Sequence, residues 1–489
     1  MEVNEAGNDG LDVTITDNNG YYSLRINVYC GNSIRIALYP VGGYANLGET
    51  LLPQTTDINK DYTLTVKEPP AGDVNQDKEI NIIDALLVAQ YYEGLNPVPF
   101  FEDFADMDEN GSINIVDALL IVRQYVFYRK TIAEVVIADP DLEDAIDYAT
   151  YVNQVSSLSN LDETVSSLSG IEEFVILQEL GCSVEDIEPL RDMINLRRLS
   201  ISHAYILDIS ALRNLVNLAH LDLDHNTIKD ITPCAKMAEL VYLDLSYNNV
   251  TSLEAIEGLT KLEYLNVRDN DLITLDGIDN CTAIGSLIAA NNKLEDISAM
   301  ENLTRLETIY LNDNNIKDIT ILSNLSALTM INLDNNNISV LPVLDSLTEL
   351  NSLYLARNKI RDLDGARNLH NLHGLFLFGN QVADLSPVAS LVELTRISLP
   401  YNQLTDITPI GNLVNLKEVI LHGNNISDIS ALGNCINIIK LYAFDNNISD
   451  ATPLLNLVAP EYLDLYGNPI PQEQIDRLIE VFPDCYINF

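Results

Sequence analysis

The sequence contains no tryptophan and few basic residues. Among 489 residues, Lys and Arg total 27 whereas Asp and Glu total 72, which gives a formal net charge of −45 at pH 7. A surface this acidic repels nucleic acid and anionic lipid, so we expect neither as a partner. The absence of tryptophan disfavours a sugar-binding platform built on stacked indole rings.

Long apolar runs and cysteine-rich stretches are missing as well. No apolar run approaches the roughly 20 residues that a membrane-spanning helix needs, so we expect no membrane span. The opening residues, MEVNEAGNDG, show no secretory signal, which leaves an intracellular protein or a trimmed form. Six cysteines are too few for a disulfide scaffold in this length. The repeat pattern predicts buried single thiols at Cys182, Cys234, Cys281 and Cys435.

A 22-residue repeat dominates the sequence. Asparagine recurs at this interval at Asn226, Asn248, Asn270, Asn292, Asn314, Asn336, Asn358, Asn380, Asn402, Asn424, Asn446 and Asn468. Counting back places Ala204 and then Cys182 in the same slot. Apolar residues alternate before each asparagine, which predicts a short strand per turn. Because no turn can bury its apolar face alone, the pattern predicts a solenoid in which asparagine side chains bond the backbone of the neighbouring turn.

This pattern, LxxLxLxxNxIxxIxxLxxL, resembles the leucine-rich repeats of the internalin type over about residues 131–489. The segment VVIADPDLEDAIDYA resembles the helical N-cap of that family, with Asp139 as helix N-cap and Pro140 at the first helical position. The resemblance implies an α/β-type solenoid, a leucine-rich-repeat horseshoe, with an N-cap at 131–175 and a C-cap at 469–489. Departures are Ala204, Cys182 and Glu179, the last in an apolar strand slot.

Two 12-residue loops upstream carry a calcium-ligand pattern. Residues 73–84 (DVNQDKEINIID) and 106–117 (DMDENGSINIVD) both have oxygen-bearing side chains at positions 1, 3, 5, 9 and 12. The first loop offers Asp73, Asn75, Asp77, Asn81 and Asp84 with the Glu79 carbonyl. The second offers Asp106, Asp108, Asn110, Asn114 and Asp117 with the Ser112 carbonyl. We expect two Ca²⁺ ions; the alternative is an acidic stretch without metal.

Each loop runs directly into an apolar helical pattern, ALLVAQYY or ALLIVRQY, and the linker KEPPAG precedes the first. This loop–helix arrangement resembles the dockerin module, which docks onto cohesin domains. The resemblance implies an all-α calcium module at 69–130 and, as in a cellulosome, a cohesin of a scaffold protein as partner. Lys78 stands where glycine is preferred, so the first site is expected to be the weaker one.

The resemblance also implies a docking surface. In dockerins, loop positions 10 and 11 contribute to cohesin selection. These positions hold Ile82, Ile83, Ile115 and Val116, and Arg123 is a charged flank. The alternative is that the four apolar residues form the core of the calcium module.

Residues 1–68 alternate as strands around an Asn19-Gly20 turn. Through TDNNGYYSL they resemble carboxypeptidase-regulatory-like modules. This predicts a small β-sandwich, for which a spacer role is favoured.

The repeat predicts which side chains face the concave sheet. In the later turns these include Tyr354, Phe376, Phe378, Tyr401, Tyr442 and Phe444. Exposed aromatics in a contiguous array favour binding of a protein or glycoconjugate; the alternative is that the rings only pack on one another. In the earlier turns His203 and His225 are one repeat apart near acidic residues. A transition-metal site is conceivable there, although an ordinary polar surface is favoured.

No catalytic constellation is visible: GxSxG, HExxH and P-loop motifs are all absent. We therefore expect no enzymatic activity. The sequence predicts a non-catalytic extracellular interaction or adhesion protein, attached to a cohesin scaffold and binding a partner on its repeats. The alternative is a regulatory or presenting subunit of a secreted enzyme, with a purely structural calcium module. The family resemblances imply a secreted or cell-surface setting.

Overall fold

The fold comes from a computed structural model of the full chain. It describes residues 155–159, 161 and 165–489, residues 137 and 139–146, and strands at 21–24 and 62–65. It also describes nine positions between these ranges, namely Val74, Asp84, Leu86, Leu87, Val88, Tyr91, Ala105, Met107 and Ile113. The chain divides into two compact units: residues 1–135 with 148–154, and residues 136–147 with 155–489.

The first unit contains an antiparallel strand pair. Strand β1 (Tyr21–Leu24) pairs with β2 (Tyr62–Thr65), so that Tyr21 lies opposite Thr65 and Leu24 opposite Tyr62. The rest of the β-sandwich expected at 1–68 lies outside the described residues. Farther along, Asp84, Leu86, Leu87, Val88 and Tyr91 are helical, within the segment for which the sequence predicts the first apolar helix.

The second unit is built on one parallel sheet of 16 strands, in which every neighbour in space is also the neighbour along the chain. The strands are β3 (Ser157–Leu158), β4 (Glu179–Cys182), β5 (Arg198–Ile201), β6 (His220–Asp222), β7 (Tyr242–Asp244), β8 (Tyr264–Asn266), β9 (Ser286–Ile288), β10 (Thr308–Tyr310), β11 (Met330–Asn332), β12 (Ser352–Tyr354), β13 (Gly374–Phe376), β14 (Arg396–Ser398), β15 (Glu418–Ile420), β16 (Lys440–Tyr442), β17 (Tyr462–Asp464) and β18 (Tyr486–Asn488). The sheet is open, and the predicted solenoid is confirmed.

The core lies on one side of this sheet. In β10, Ile309 is fully buried whereas Thr308 and Tyr310 are half-buried, and this alternation repeats from strand to strand. Cys182, Cys234, Cys281 and Cys435 are buried free thiols, as predicted.

Short 3-10 helices return the chain from one strand to the next. They span Ile171–Glu173, Glu188–Leu190, Ser210–Asn214, Thr232–Lys236, Glu254–Ile256, Ser298–Met300, Thr320–Asn324, Asp364–Ala366, Ser386–Ser390, Thr408–Asn412, Ser430–Asn434 and Thr452–Asn456. An aspartate precedes several of them. Asp318 Oδ1, for example, accepts the backbone N–H of Thr320 at 2.9 Å. This is the turn-forming use of aspartate that fixes where the helix begins.

The asparagine ladder forms as predicted. Asn314 Nδ2 donates to the carbonyl oxygens of Ala289 in the preceding turn, at 2.9 Å, and of Leu311 in its own turn, at 3.1 Å. Its Oδ1 accepts the backbone N–H of Leu294 at 2.9 Å. Each buried amide therefore satisfies backbone groups of two successive turns, and this links the turns into one unit.

The residue just before the asparagine slot, which holds Ala204 in the earliest of these turns, is left-handed. In every turn from His203 to Gly467 this position has a positive φ, for example 57° at His203 and 53° at Tyr401. Asp, Asn or Gly fill most of these positions, since they tolerate that conformation best. Because the bend is fixed by the ladder, the side chains of this column all emerge at the same edge of the sheet.

The first turns depart from the predicted register. Cys182 pairs with Ile201, 19 residues later, whereas the later turns pair residues 22 apart. Cys182 is therefore a buried strand residue, and the prediction that it stands in the asparagine slot is wrong. The reason is that this turn has 19 residues instead of 22, because it lacks the three residues of the bend that carries the asparagine in later turns. Glu179 likewise lies on the half-buried face beside the buried Leu180, not in an apolar slot.

Both ends of the solenoid carry helices. Helix α1 (Pro140–Ile146) begins after Asp139, whose Oδ1 accepts the backbone N–H groups of Asp141 and Leu142 at 3.0 and 3.3 Å. The predicted helix N-cap is confirmed. Helix α2 (Gln472–Val481) buries Ile475 and Leu478 and is followed by β18, the last strand of the sheet.

Candidate functional site

The exposed face of the sheet carries three groups of aromatic side chains in its later turns. The sequence-predicted partner residues Tyr354, Phe376, Phe378, Tyr442 and Phe444 are all half-buried there, and Tyr401 is exposed. None of them lies in the core. The sheet brings them into separate clusters rather than one continuous surface.

Two of these groups are compact stacks. Tyr354 and Phe376 lie one turn apart, with their ring centroids 4.3 Å apart and their planes nearly parallel. The guanidinium carbon of Arg396 lies 5.5 Å from the Phe376 centroid, which places a cation over the end of the stack. Toward the C-terminal end, Tyr442 contacts Tyr462 at 5.0 Å between centroids, and Tyr462 stacks on Tyr486 at 5.3 Å.

The third group runs across four successive turns, and we call it the aromatic row: Phe378, Tyr401, His422 and Phe444. Tyr401 meets Phe378 edge to face at 5.5 Å between centroids and His422 edge to face at 5.2 Å. His422 then stacks on Phe444 at 4.1 Å. The guanidinium carbon of Arg357 lies 5.3 Å from the Phe378 centroid. The row is therefore a contiguous surface of π faces with a cation at one end.

His422 is the member of the row that the sequence analysis missed. The missed signal is its position, one repeat before Phe444 and two repeats after Phe378. Burial lowers the pKa of His422, although the carboxylates of Asp445 and Asp464 act in the opposite direction. Nδ1 of its ring is buried with no hydrogen-bond partner. A buried polar atom without a partner costs stability.

Two glycines make room for the aromatic rings. A Cβ on Gly374 would lie 2.8 Å from Cε2 of Phe376, which follows it on the same strand. A Cβ on Gly423 would lie 2.7 Å from Cδ1 of Tyr401 in the preceding turn. The rings therefore rest on bare backbone, and these two glycines set their positions.

The earlier turns present carboxylates on the same face. Asp222 and Asp244 occupy adjacent strands, and Asn266 Nδ2 donates to Asp244 Oδ2 at 2.8 Å. Burial raises the pKa of Asp222 to about 6, and the charges of Asp224 and Asp244 add to this effect. Beside them, Tyr242 stacks between His220 and Tyr264. This half of the face is acidic, in contrast to the later turns.

Of the calcium ligands that the sequence predicts, only Asp84 lies within the described residues. It is fully buried and helical, and its role as the last ligand of the first loop stays a prediction. Both predicted ligand sets consist of oxygen atoms alone, the donor that Ca²⁺ prefers. The residues predicted to dock onto a cohesin, Ile82, Ile83, Ile115, Val116 and Arg123, lie outside the described residues.

Comparison with known families matches both parts of the chain. Residues 71–126 match the dockerin type I domain. Residues 238–280, 286–325 and 392–434 match the leucine-rich-repeat family model of two copies. The resemblances to dockerins and to leucine-rich repeats are thereby confirmed. Both families are typical protein-interaction modules.

Solved structures agree with the repeat fold. An internalin, InlF, from Listeria monocytogenes is 29% identical with a TM-score of 0.53, over 68% of this chain and 91% of that chain. A leucine-rich-repeat protein from Leptospira interrogans is 24% identical with a TM-score of 0.63, over 68% of this chain and 89% of that one. No curated protein matches the chain.

Helices of the described residues are all too short or too polar to cross a membrane.

Proposed function

We propose that this protein is a non-catalytic extracellular adaptor with two binding functions. Its dockerin domain attaches it, in a calcium-dependent manner, to a cohesin domain of a scaffold protein. The exposed face of its repeats binds a second protein, with the aromatic row as the main contact. The observation that carries the proposal is that row, formed by Phe378, Tyr401, His422 and Phe444.

The row has the properties of an interaction hot spot. Aromatic rings that are half-buried before binding lose little conformational entropy on binding, and each can contribute about 2 kcal/mol or more. Its flanking cation, Arg357, suits a partner with a carboxylate or aromatic side chain. A protein partner fits this mixture better than a sugar, since no tryptophan platform exists.

The acidic turns give the partner an orientation. Asp222 and Asp244 repel acidic surfaces and attract basic ones. A partner would therefore place a basic patch over the earlier turns and an apolar, aromatic-matching patch over the row. Such a face is suited to orienting a partner in one direction along the solenoid.

On the dockerin side, we propose that two Ca²⁺ ions bind the loops at 73–84 and 106–117. The apolar pairs Ile82 with Ile83, and Ile115 with Val116, would then contact the cohesin, flanked by Arg123. Bound calcium would organise the loops so that the helices following them hold these pairs in place. Near-duplication of the loops allows docking in two orientations related by a half-turn.

The docking proposal is tested with an immobilised cohesin and the full chain. We expect capture in Ca²⁺ and release by a chelator. A variant with Ile82, Ile83, Ile115 and Val116 all changed to Asp should lose capture while retaining calcium uptake. Retained capture by that variant would reject these residues as the docking surface, and capture that persists in chelator would reject calcium dependence.

The repeat-face proposal is tested by capture of partners from secreted and surface fractions of the source cells. Any captured protein is then produced pure, and its affinity is measured by surface plasmon resonance. Phe376→Ala with Phe378→Ala, and separately Tyr401→Ala with Phe444→Ala, should each weaken binding at least about tenfold. Tyr310→Ala, which changes a half-buried tyrosine three turns away, is the matched control. Unchanged affinity in a stable double variant would place the partner elsewhere.

A further inference from the structure

Two histidines and an aspartate converge at the left-handed edge of the early turns. His203 and His225 lie one turn apart, with ring centroids 4.1 Å apart and planes 10° from parallel. Asp224 Oδ2 lies 2.7 Å from His225 Nδ1. One potential ligand atom from each of the three residues lies within 4.8 Å of the other two. No function assigned so far to the dockerin domain or to the aromatic row uses this cluster.

The backbone holds the three side chains in place. Both histidines occupy the left-handed position before the bend, with φ of 57° and 51°. The N–H of His203 donates to the carbonyl oxygen of Asp224 at 3.3 Å, and that of His225 donates to Ser246 at 2.9 Å. The repeat thus presents two imidazoles in the same orientation on adjacent turns, with a carboxylate beside them.

We propose that His203, Asp224 and His225 form a binding site for a divalent transition-metal ion of the zinc class. Two imidazoles and one carboxylate are a common protein ligand set for such ions, and three ligands leave one position open. With bonds of about 2.0–2.1 Å, tetrahedral ligand atoms lie about 3.4 Å apart. His225 Nδ1 and Asp224 Oδ2 lie closer than this, at 2.7 Å, and one ligand atom from each of the three residues lies within 4.8 Å of the other two. His203 is exposed, whereas Asp224 and His225 are half-buried. To bind one ion, the two stacked imidazole rings must tilt so that a nitrogen of each points at it.

Asp224 supplies an independent reason for a cation here. Its Oδ1 is buried and has no hydrogen-bond partner, while its Oδ2 lies 2.7 Å from His225 Nδ1. An anionic oxygen in that position is stabilised by a bound cation. Asp222 and Asp244 add negative charge on the neighbouring strands, which raises the local cation concentration.

The site is chemically distinct from the calcium loops. Calcium prefers oxygen ligands only, whereas imidazole favours zinc, copper and nickel. Saturating the dockerin domain with Ca²⁺ therefore leaves the histidine site available. The fourth position could be taken by water or by a side chain of a bound partner.

The test uses the tag-free full chain in excess Ca²⁺, titrated calorimetrically with Zn²⁺ at pH 7.5. We expect uptake of one Zn²⁺ per chain and a zinc-dependent rise in Tm. The variant His203→Asn with His225→Asn should bind at least about tenfold more weakly, since asparagine tolerates the left-handed backbone but is a poor ligand. His370→Asn with His373→Asn, which changes two exposed histidines elsewhere, should bind as the parent does.

Absorption of bound Co²⁺ gives a second readout. Tetrahedral nitrogen and oxygen coordination should produce visible bands in the parent and not in the His203/His225 variant. If that variant does not fold, the single change Asp224→Asn replaces it, with the same expected loss of affinity. No zinc uptake, or uptake unaffected by changes at all three residues, would overturn the proposal.

Discussion

Asp139 and Ser166 join the N-terminal helix to the first turn of the solenoid. Asp139 Oδ2 accepts both the hydroxyl and the backbone N–H of Ser166, each at 2.7 Å, and the N–H of Ser167 at 3.0 Å. The other oxygen caps helix α1. These hydrogen bonds, led by the Ser166 hydroxyl, lower the pKa of Asp139 to about 2. One carboxylate thus caps helix α1 and ties it to Ser166 and Ser167 at the start of the solenoid.

Asp139→Ala should therefore loosen the N-terminal end. We expect a fall in Tm of roughly 2 °C or more and faster hydrogen exchange in β3 and β4, with no change in the last turns. Asp141→Ala, which removes an exposed acid two residues along, is the control. Equal exchange in β3 and β4 of the variant and the parent would contradict the bracing role.

The same residue gives a defined pH dependence. Because folding depresses its pKa, its contribution is present above the unfolded pKa of about 3.9 and is lost as the pH falls toward 2. The Tm difference between the parent and Asp139→Asn should shrink across that interval. A difference that stays constant from pH 5 to pH 2 would show that the charge of Asp139 is not involved.

Much of the solenoid could be predicted because the same residue pattern recurs in turn after turn. The spacing of asparagine and leucine fixes the strands, the ladder and the buried face, since each turn packs only on its neighbours. The register failed at Cys182 because counting in steps of 22 cannot detect a turn that is only 19 residues long. The strand pairing reveals it directly, since Cys182 lies beside Ile201.

The ladder predicts a large penalty for a single amide. Asn336→Ala removes the Nδ2 donor to the carbonyl oxygens of Leu311 and Leu333. It also removes the Oδ1 acceptor for the backbone N–H of Ile316 in the preceding turn. Each buried group left unpaired costs about 1–3 kcal/mol, so urea unfolding should show a loss of roughly 2 kcal/mol or more. Asn337→Ala, at the half-buried neighbouring position, should cost far less, because its side chain makes no ladder hydrogen bond of this kind. Similar losses in both would refute the ladder as a source of stability.

Asp222 should show a pH dependence of stability opposite to that of Asp139. Its pKa is raised to about 6, so its unfavourable charge appears in the fold as the pH rises through that value. Asp222→Asn should match the parent near pH 4 and have the higher Tm at pH 7.5, in zinc-free buffer. Asp230→Asn is the contrast, because hydrogen bonds from Thr232 lower the pKa of Asp230. No gain for Asp222→Asn at pH 7.5 would contradict the burial argument.

Calcium stoichiometry tests the paired loops. Titration of the full chain should show two ions, and Asp73→Ala with Asp106→Ala should abolish uptake at both loops. Each single change should leave one ion bound. Since Lys78 stands where glycine is preferred, the site that survives Asp106→Ala should be the weaker one. Binding of two Ca²⁺ ions by the double variant would show that these loops are not the calcium sites.

The partner face was less accessible to sequence reasoning. Slot positions identify outward-facing rings such as Phe378 and Phe444, but not which rings touch. Contacts depend on edge-to-face tilts, as between Tyr401 and His422, and on bare backbone beneath the rings. The repeat spacing of His422 from Phe378 and Phe444 was its one sequence signal, and only the geometry showed that its ring contacts both Tyr401 and Phe444.

Gly374 offers a way to perturb the face without removing an aromatic ring. A Cβ at this position would come within 2.8 Å of Phe376 Cε2, so Gly374→Ala should push the ring outward and break its 4.3 Å stack on Tyr354. The stacking change should appear in near-ultraviolet circular dichroism, and partner affinity should fall about threefold or more. Gly258→Ala is the matched control, because a Cβ there meets nothing within 4 Å. If Gly374→Ala alters the spectrum but not the affinity, the Phe376 stack lies outside the contact; an unchanged spectrum would show that the ring does not rest on Gly374.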